Sequence, residues 1–332
     1  MKHPRPKPPK STNSDTDRVL ITGAAGFVGA NLARALVQQG RQVAVITRKN
    51  SNLWRLSEVR GSLEQHTADL ADAPMLRQIV QKVQPTIVFH TAAASVYGGQ
   101  VPATESEMVQ SNLLGTMNLI RACADVNYRC FINTGSSSEY GPKTEPMVET
   151  DRTEPRDIYG VIKCAATHFA AAVARKEHKP ILTLRLFSPF GPFDDPRRLI
   201  PTVIVAALAG RDIKLARPEI GRDYVFIDDV VAAYLAAAER ARELMGEIIN
   251  IGSGRQTTLE ETVATLLTLV KSPSRALWGA APGSPQDNPL WQANIEKARE
   301  RLGWQPRVTF LEGLRRTVDW FREHLGRYTS SP

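Results

Sequence analysis

The stretch TGAAGFVG, residues 22–29, decides the fold of this 332-residue chain. It lies between the apolar run RVLIT at 18–22 and an amphipathic pattern at 26–40. Its glycines are Gly23, Gly26 and Gly29. Glycines at this spacing permit a tight turn from strand to helix, a close approach of the backbone to a pyrophosphate, and close helix–strand packing. A Gly-rich turn that binds nothing would look the same. Its place between the first strand and a helix favours a dinucleotide, with the pyrophosphate at the helix N-terminus.

Further along the chain, apolar runs of strand length alternate with helical patterns, which is typical of βαβ units and a parallel sheet. The predicted strands are 18–22, 42–47, 85–90, 129–134 and 180–187, and the predicted helices are 26–40, 73–84, 104–125 and 157–178. Beyond Phe190, Pro and Gly become frequent and we expect short elements. We therefore predict a doubly wound α/β sheet of the Rossmann type over 18–190, to which segments of the second half return. A smaller, partly interleaved substrate-binding region is expected over 191–332.

The composition is that of an ordinary globular protein, with 42% hydrophobic and 23% charged residues. No apolar run approaches the ~18–20 residues of a membrane span, so we expect no membrane association. The basic, Pro-rich segment 1–17 is predicted to be a disordered tail, and it lacks the apolar core of a signal peptide. Three scattered cysteines without a CxxC pair predict a cytoplasmic protein with reduced thiols and no metal site.

The formal net charge of +8 raises the question of a nucleic-acid partner. Four of the cations lie in the tail, at Lys2, Arg5, Lys7 and Lys10, and elsewhere basic residues are interspersed with acids. Because no arginine-rich stripe with interleaved aromatic residues is present, we predict no nucleic-acid binding. A modest basic excess also suits a protein that binds phosphorylated small molecules.

The end of the second predicted strand indicates which dinucleotide is bound. NAD-binding sheets usually carry an acid there for the ribose hydroxyls, whereas VITRKNSN at 45–52 has none. Arg48, Lys49 and Ser51 offer cations and a hydroxyl suited to a 2′-phosphate. These residues favour NADP, while NAD stays possible because a solvated basic turn would look the same. Asp69 is either an acceptor for the adenine amino group or a surface acid in a turn.

Tyr159 and Lys163, in DIYGVIKC at 157–164, are four residues apart and share a face of the predicted helix. We expect the ammonium to lower the pKa of the phenol from its usual value near ~10 and to hydrogen-bond the cofactor ribose. A phenol so placed gives or takes a proton at neutral pH. The spacing occurs by chance in many helices, and its weight comes from the glycine loop and the strand-end serines upstream.

A set of motifs resembles, in order, those of the extended short-chain dehydrogenase/reductase family, which comprises nucleotide-sugar epimerases, dehydratases and ketoreductases. The motifs are TGAAGFVG (22–29), HTAAA (90–94), Asn112, GSSSEYG (135–141), YGVIK (159–163), LFSPFGP (186–192) and RDYVFIDDV (222–230). The match continues to LGWQP at 302–306, so it spans nearly the whole chain. As a set the motifs are specific for the family but not for one reaction.

The resemblance implies an NAD(P)-dependent enzyme that acts on a nucleoside-diphosphate sugar and forms a homodimer through the helices near 104–125 and 159–178. The small residues at 166–174 would permit such close helix packing, unless that face is buried within the monomer. The implied catalytic residues are Ser136, Tyr159, Lys163 and Asn112. The cofactor-binding residues are Gly23, Gly26, Phe27, Val28, Gly29, Arg48, Ser51, Asp69, Leu70, Thr91, Ala92, Ala93, Tyr159 and Lys163, and the substrate-binding residues are Ser137, Ser188 and Arg222.

Ser136 receives its role because it stands four residues before the Tyr of the YG pair. Asn112 would tie the central helix to the site, directly or through water.

Family members resembling sugar 4,6-dehydratases place an Asp–Glu pair directly after the catalytic hydroxyl residue, because elimination needs an acid for the leaving hydroxyl and a base for the C5 proton. This chain has Ser137 and Ser138 there, so we predict no dehydration, although Glu139 lies close by.

Arg222 matches a family arginine that binds the substrate diphosphate, and the alternative is a salt bridge to Asp223 or Asp228. Many relatives carry a second arginine in an RPGD run, where this chain has Ala281. The second phosphate contact would be absent or supplied by Arg197, Arg198 or Arg217. In the C-terminal segment Asn294 replaces the usual Asp. Trp291 either stacks on a base or fills the core, and we favour a place in the core.

These observations lead to three hypotheses. The first is an NADP-dependent 4-ketoreductase that reduces a nucleoside-diphosphate 4-keto-6-deoxysugar, with Tyr159 as proton donor. The second is a nucleotide-sugar 4-epimerase with tightly held NAD. The basic end of the second strand favours the reductase. The third, a catalytically idle NADP-binding sensor or scaffold, is disfavoured because Ser136, Tyr159 and Lys163 are all present.

Overall fold

A computed structural model of the protein describes residues 17–94, 103–283, 287–288 and 290–329. In chain order the strands are β1 (Arg18–Thr22), β2 (Gln42–Thr47), β3 (Leu63–Thr67), β4 (Ile87–His90), β5 (Cys130–Ser136), β6 (Ile181–Leu186), β7 (Ser188–Phe190), β8 (Ile213–Leu215), β9 (Gly221–Phe226), β10 (Ile248–Ile251), β11 (Gln256–Thr258) and β12 (Ala276–Trp278). The helices are α1 (Phe27–Gln38), α2 (Ala73–Val83), α3 (Glu105–Met108), α4 (Gly115–Ala122), α5 (Ile158–Glu177), α6 (Leu199–Leu208), α7 (Ile227–Arg240), α8 (Leu259–Val270), α9 (Phe310–His324) and α10 (Gly326–Thr329).

The main sheet has seven strands in the order β10-β6-β5-β4-β1-β2-β3. Every neighbouring pair in it is parallel. The chain runs outward from β1 to β3, then returns to β4 on the other side of β1. A crevice opens at the carboxyl ends of the strands where the order reverses, and dinucleotides bind at such points. The predicted doubly wound α/β fold is confirmed.

Alternate residues of each strand face opposite sides of the sheet, which produces two helical layers. Along β1, Val19 and Ile21 belong to one apolar cluster, with residues of α1 and α7 such as Leu32. Leu20 between them belongs to the other cluster, with Leu119 of α4. All of these side chains are fully buried. Burying both faces explains why the strands are continuous apolar runs.

The second half of the chain is only partly separate from this sheet. Strand β10 joins the main sheet at its edge, beside β6. Two small sheets, in the orders β11-β9-β7 and β12-β8, lie outside it. A buried cluster contains aromatic residues from both halves, among them Tyr140 and Trp291. The division into two domains at residue 190 stays a prediction.

Several sequence expectations need correction. Strand β3 was not predicted, because only Leu63 of its residues is buried and an edge strand lacks an apolar run. The helix expected at 104–125 is divided into α3, a π-helical turn at Val109–Leu114, α4 and a short 3₁₀ turn. The expectation of short elements beyond Phe190 holds for most strands but is wrong for α6 to α9, which have 10, 14, 12 and 15 residues.

The predicted tail lies, apart from Asp17, outside the described residues. Asp17 is tied to the fold by salt bridges to Arg41 and Arg129, both at 2.8 Å. In the described part of the chain, no helix combines the length and the apolarity needed to cross a bilayer.

Candidate active site

The glycine loop joins β1 to α1 and packs tightly against the end of β4. Gly23 has φ +74°, and a Cβ there would lie 2.4 Å from the backbone nitrogen of Ala92. A Cβ at Gly29 would lie 2.4 Å from the carbonyl oxygen of Gly23. Within this described loop, no side chain caps α1 and no acid lies in its first turn. The N–H groups of Phe27 and Val28 begin the helix there, so the loop suits the pyrophosphate of a dinucleotide.

The residues after β4 form a wall beside the glycine loop. The backbone N–H and the hydroxyl of Thr91 both donate to the Thr22 carbonyl, at 3.1 and 2.7 Å. Asn112 is fully buried, accepts from the Ala94 N–H at 2.7 Å and donates to the Ala94 carbonyl at 2.8 Å. The π-helical turn therefore holds the wall by direct contact. Asn112 acts there through backbone contacts, and a catalytic role for it stays a prediction.

His90 is a buried residue of this region that the sequence reasoning did not single out. Its Nδ1 lies 2.6 Å from the Thr22 hydroxyl and its Nε2 lies 2.8 Å from the Thr116 hydroxyl. Because Thr116 donates its proton to the Asn112 carbonyl at 2.6 Å, it accepts from His90, and Nε2 carries the proton. Burial and the nearby Lys163 charge lower the pKa of His90 to about 3, so the ring is neutral. It links β1, β4 and α4 beneath the site.

The end of β2 forms a tight basic turn. The Arg48 N–H donates to the Ser51 hydroxyl at 3.1 Å, and the Ser51 N–H donates to the Arg48 carbonyl at 3.0 Å. The side chains of Arg48 and Lys49 are exposed. Asp69 is also exposed, and its carboxylate accepts the Ala71 N–H at 2.8 Å. Leu70, next to it, is buried.

The sequence pattern did not identify two charged residues near the cofactor loops, Glu107 and Arg55. Hydrogen bonds from Thr104 lower the pKa of Glu107, and the Arg48 charge contributes to the same shift. An acid of α3 thus lies within electrostatic reach of the basic turn. Arg55 donates to the carbonyls of Phe193, at 2.7 Å, and Ala25, at 3.4 Å. The glycine loop is thereby joined to the loop after β7. No local motif marks either residue, because the contacts cross between distant segments.

The loop after β5 brings the catalytic candidates together. Ser136 ends β5, and its hydroxyl accepts from the Ser138 N–H at 3.2 Å. The Tyr159 hydroxyl, at the start of α5, hydrogen-bonds the Ser136 side chain. Lys163, one helical turn later, is 2% exposed and donates to the Thr134 carbonyl. The predicted grouping of serine, tyrosine and lysine is therefore present.

The expected direction of the tyrosine shift is wrong. Burial and the negative charge of Glu139 raise the pKa of Tyr159 to about 12, although its hydrogen bond to Ser136 opposes the shift. Burial lowers the pKa of Lys163 to about 8. Desolvation therefore outweighs the attraction that the sequence suggested. At neutral pH the phenol is protonated, which is the form that donates a proton.

The residues after Ser136 supply neither an acid nor a base to the site. Ser137 is 5% exposed, and its hydroxyl accepts from the indole N–H of Trp291 at 3.0 Å. Ser138 is 7% exposed. Glu139 is fully buried in a salt bridge to Arg185 at 2.8 Å. Trp291 is itself 3% exposed, so it fills the core, as the sequence reasoning favoured.

The candidate diphosphate contact, Arg222, follows Gly221 at the start of β9. Its guanidinium pairs with Asp287 at 2.8 Å, rather than with the two acids considered from sequence. Asp223 is buried and accepts from the backbone N–H groups of Ser253, Gly254 and Ala293. Asp228 pairs with Arg316 at 2.5 Å.

The remaining substrate-side candidates lie around Arg222. Ser188 is on β7, opposite Tyr224 of β9. The alternative phosphate contacts all have acidic partners, since Arg197, Arg198 and Arg217 pair with Asp195, Asp194 and Glu219 at 2.7, 2.9 and 3.4 Å. The Arg198 charge also acts on Tyr159, so this residue lies near the catalytic group. Among residues that the structure describes, no group of His, Cys, Asp or Glu could hold a metal ion.

Comparison with known proteins gives consistent results. A family profile described as the NAD dependent epimerase/dehydratase family matches residues 19–252. The dTDP-glucose 4,6-dehydratase of Xanthomonas campestris pv. campestris is 27% identical, over 91% of this chain and 92% of the relative. The UDP-glucuronate 4-epimerase 4 of Arabidopsis thaliana is 30% identical, over 94% of this chain and 76% of the relative.

Solved structures agree with the fold over nearly the same span. The UDP-glucose 4-epimerase of Thermotoga maritima with UDP-glucose has a TM-score of 0.84 and 27% identity, over 92% of this chain and 99% of that one. The UDP-glucose 4-epimerase of Thermus thermophilus in complex with NAD has a TM-score of 0.82 and 28% identity, with the same coverage of 92% and 99%.

Proposed function

The chain belongs to the NAD dependent epimerase/dehydratase family of extended short-chain dehydrogenases/reductases, and on this basis we propose that it is an NADPH-dependent 4-ketoreductase. Its substrate would be a nucleoside-diphosphate 4-keto-6-deoxysugar. The observation that carries this proposal is the turn after β2, where Arg48 and Ser51 stand and no carboxylate does. A 2′-phosphate gains charge-assisted hydrogen bonds from such a turn, whereas the ribose hydroxyls of NAD are usually held by an acid.

The cofactor fits the residues around the crevice. The loop at 22–29 would hold the pyrophosphate, Asp69 and Leu70 the adenine, and Thr91 to Ala93 would line the cofactor. Lys163 would hold the nicotinamide ribose, since its buried ammonium reaches a backbone carbonyl at the same strand end. When bound, the nicotinamide dinucleotide supplies the hydride. The side chains of the protein would polarise the carbonyl group and donate the proton.

Ser136 and Tyr159 would act on the C4 oxygen of the sugar. The Ser136 hydroxyl donates to the Ser138 hydroxyl at 3.1 Å and lies beside the Tyr159 hydroxyl. A carbonyl oxygen placed between Ser136 and Tyr159 would receive two donors once both protons turn toward it. Tyr159 has a pKa of about 12 and is a protonated phenol at neutral pH. It therefore donates a proton to the oxygen as C4 is reduced, and the neighbouring cation of Lys163 stabilises the phenolate that results.

Elimination of water is poorly supported by the same loop. Ser137 and Ser138 are buried hydroxyls, and neither serves as an acid or a base at neutral pH. The Glu139 carboxylate is occupied by Arg185 and points into the core. A dehydratase function would need one of these groups to reach C5 or C6 of the sugar.

Arg222 would bind the substrate diphosphate. Its guanidinium now pairs with Asp287, so a phosphate must replace that carboxylate. An arginine fork suits two phosphate oxygens at least as well as one carboxylate, and the exchange is feasible.

The second candidate is a 4-epimerase that keeps NAD bound and returns hydride to the other face of C4. Two solved 4-epimerases resemble the chain at 27% and 28% identity, and one of them is in complex with NAD. Tyr159, Ser136 and Lys163 would serve that reaction equally well. The basic turn after β2, with Arg48 and Ser51, is thus the feature that distinguishes the reductase from the epimerase.

We also propose that the protein is a homodimer. Apolar side chains of α5 are unusually exposed, with Ile158 at 45% and Val161 at 51%. Val109 and Leu114, on the adjacent helical segment, are exposed at 37% and 41%. A second copy would cover this face and form a four-helix contact. Val161→Glu should convert the dimer to a monomer in size-exclusion chromatography with light scattering, and a wild-type monomer would refute the proposal.

The reaction is tested by supplying NADPH with a nucleoside-diphosphate 4-keto-6-deoxysugar and following cofactor absorbance. The reductase should consume one NADPH per sugar, and Tyr159→Phe should abolish this consumption. Purified protein that carries bound NAD and interconverts 4-hydroxy sugars without net consumption would instead establish the epimerase.

A further inference from the structure

A buried salt bridge lies directly behind the catalytic loop. Glu139 and Arg185 are 0% and 1% exposed, and their charged atoms are 2.8 Å apart. Two nitrogens of the guanidinium donate to the same carboxylate oxygen, at 3.0 and 2.8 Å. The guanidinium also lies 4.3 Å from the ring centre of Tyr140. A buried pair of this kind is weak evidence for stability, because desolvation offsets its attraction, so its placement needs another reason.

The second oxygen of Glu139 contacts both elements that carry the proposed catalytic residues. It accepts the backbone N–H of Ser136 at 2.8 Å. It also accepts the hydroxyl of Thr167, on α5, at 3.0 Å. Thr167 lies one helical turn after Lys163 and two after Tyr159. A single carboxylate thus joins the strand-end serine to the helix of the tyrosine and lysine.

Two glycines make room for this arrangement. A Cβ at Gly135 would lie 2.8 Å from the Glu139 carboxylate. A Cβ at Gly160 would lie 2.6 Å from the carbonyl oxygen of Ser138, so α5 rests directly on the loop. A side chain at Gly135 would displace the Glu139 carboxylate, and one at Gly160 would push the loop away from the helix. The loop, the helix and the buried pair therefore form one close-packed unit.

The charge of Glu139 also reaches the reacting groups. It raises the pKa of Tyr159, after burial the largest influence on that phenol, and it opposes the lowering of the Lys163 pKa. The other charged or titratable groups near these two residues are Arg185 on β6, which neutralises Glu139, His90 on β4, Asp157 at the start of α5, Arg198 before α6 and Tyr234 on α7. Glu139 is the anion whose charge acts on both Tyr159 and Lys163.

We propose that Glu139, held by Arg185, is a positioning residue that fixes Ser136 relative to α5 while its charge acts on the Tyr159 hydroxyl. This inference rests on the proposed function only in assigning the chemistry to Ser136, Tyr159 and Lys163. It gives the buried salt bridge a role in catalysis rather than in folding.

The test uses the double variant Glu139→Gln/Arg185→Met in the full-length protein. Removing both charges avoids leaving one buried without a partner, so the variant should fold with a Tm close to that of wild type. The glutamine oxygen still accepts from Ser136, but the anion is gone. We expect kcat to fall about 10- to 100-fold with KM nearly unchanged. The alkaline limb of the kcat profile should move to lower pH, because loss of the Glu139 anion lowers the pKa of both Lys163 and Tyr159.

Two further variants separate positioning from general stability. Thr167→Val removes only the link to α5, so kcat should fall a few-fold without any shift of the pH profile. Asp229→Asn serves as the matched control, since Asp229 is a buried carboxylate on α7, 4% exposed, that accepts the backbone N–H groups of Arg307 and Val308. It should lower Tm and leave the pH profile unchanged.

A readout without substrate keeps this inference separate from the proposed reaction. Ultraviolet difference titration of Tyr159, with Tyr159→Phe as the reference, should give a lower pKa in the double variant than in wild type. An unchanged tyrosine titration overturns the inference, whatever the reaction. If the double variant fails to fold, an unchanged kcat in Thr167→Val overturns it as well. Failure of wild type to reduce a 4-keto sugar, with the titration shift present, refutes only the reductase.

Discussion

Replacement of Arg48 by alanine should weaken NADPH binding selectively. A charge-assisted hydrogen bond to a phosphate contributes about 1.5–3 kcal/mol. Arg48 is exposed, so solvent screening reduces the contribution toward the lower end of that range. Since 1.4 kcal/mol corresponds to a factor of ten, the Kd for NADPH should rise about tenfold. NADH lacks the 2′-phosphate, and its Kd should not change.

The assay is a titration of each cofactor by calorimetry or by quenching of protein fluorescence, at fixed ionic strength. Raising the salt concentration should narrow the difference between NADPH and NADH in wild type, because the contact is exposed to screening. Arg60→Ala is the control, since Arg60 is another exposed arginine and lies before β3. Equal affinity of wild type for the two cofactors, or an equal loss for both in Arg48→Ala, would refute this reasoning.

Further predictions concern the proton donor, the lysine, the acid of α3 and the excluded reaction. Tyr159→Phe should lower kcat by about 10²- to 10⁴-fold with NADPH affinity retained, and near-normal turnover would contradict its role. NADPH affinity should be full below pH 8 and weaken as pH rises through the Lys163 pKa of about 8, because the ammonium loses its proton; Lys163→Met should bind weakly at all pH values. Glu107→Gln should strengthen NADPH binding, since it removes an anion near Arg48, whereas weaker binding would place the 2′-phosphate elsewhere. Incubation with nucleoside-diphosphate glucose should yield no 4-keto-6-deoxysugar by mass spectrometry, and its formation at enzymatic rates would make Glu139 the first candidate for the missing acid or base.

Features that depend on local spacing were predictable from the sequence. The glycines at 23, 26 and 29 identify the turn between β1 and α1 by their spacing, and a Cβ at Gly23 or Gly29 would collide with the backbone there. The four-residue spacing of Tyr159 and Lys163 places them on one face of α5. The apolar runs identify the central strands because both faces of the sheet are buried.

Features that depend on distant contacts were not predictable in this way. The acids that act on Arg48 and Arg222 are Glu107 and Asp287, and they are 59 and 65 residues away along the chain. The direction of the Tyr159 shift follows from burial, which is a property of the folded chain. Strand β3 has an exposed outer edge and therefore no apolar pattern to mark it.

The most direct test of the proposed reaction follows the hydride itself. The protein would be incubated with a nucleoside-diphosphate 4-keto-6-deoxysugar and NADPH that carries deuterium at the transferable position of the nicotinamide. A 4-ketoreductase predicts one deuterium at C4 of the product and one NADPH consumed for each sugar reduced. A sugar without deuterium, together with unchanged NADPH and a 4-hydroxy sugar epimerised in the presence of NAD alone, would contradict it.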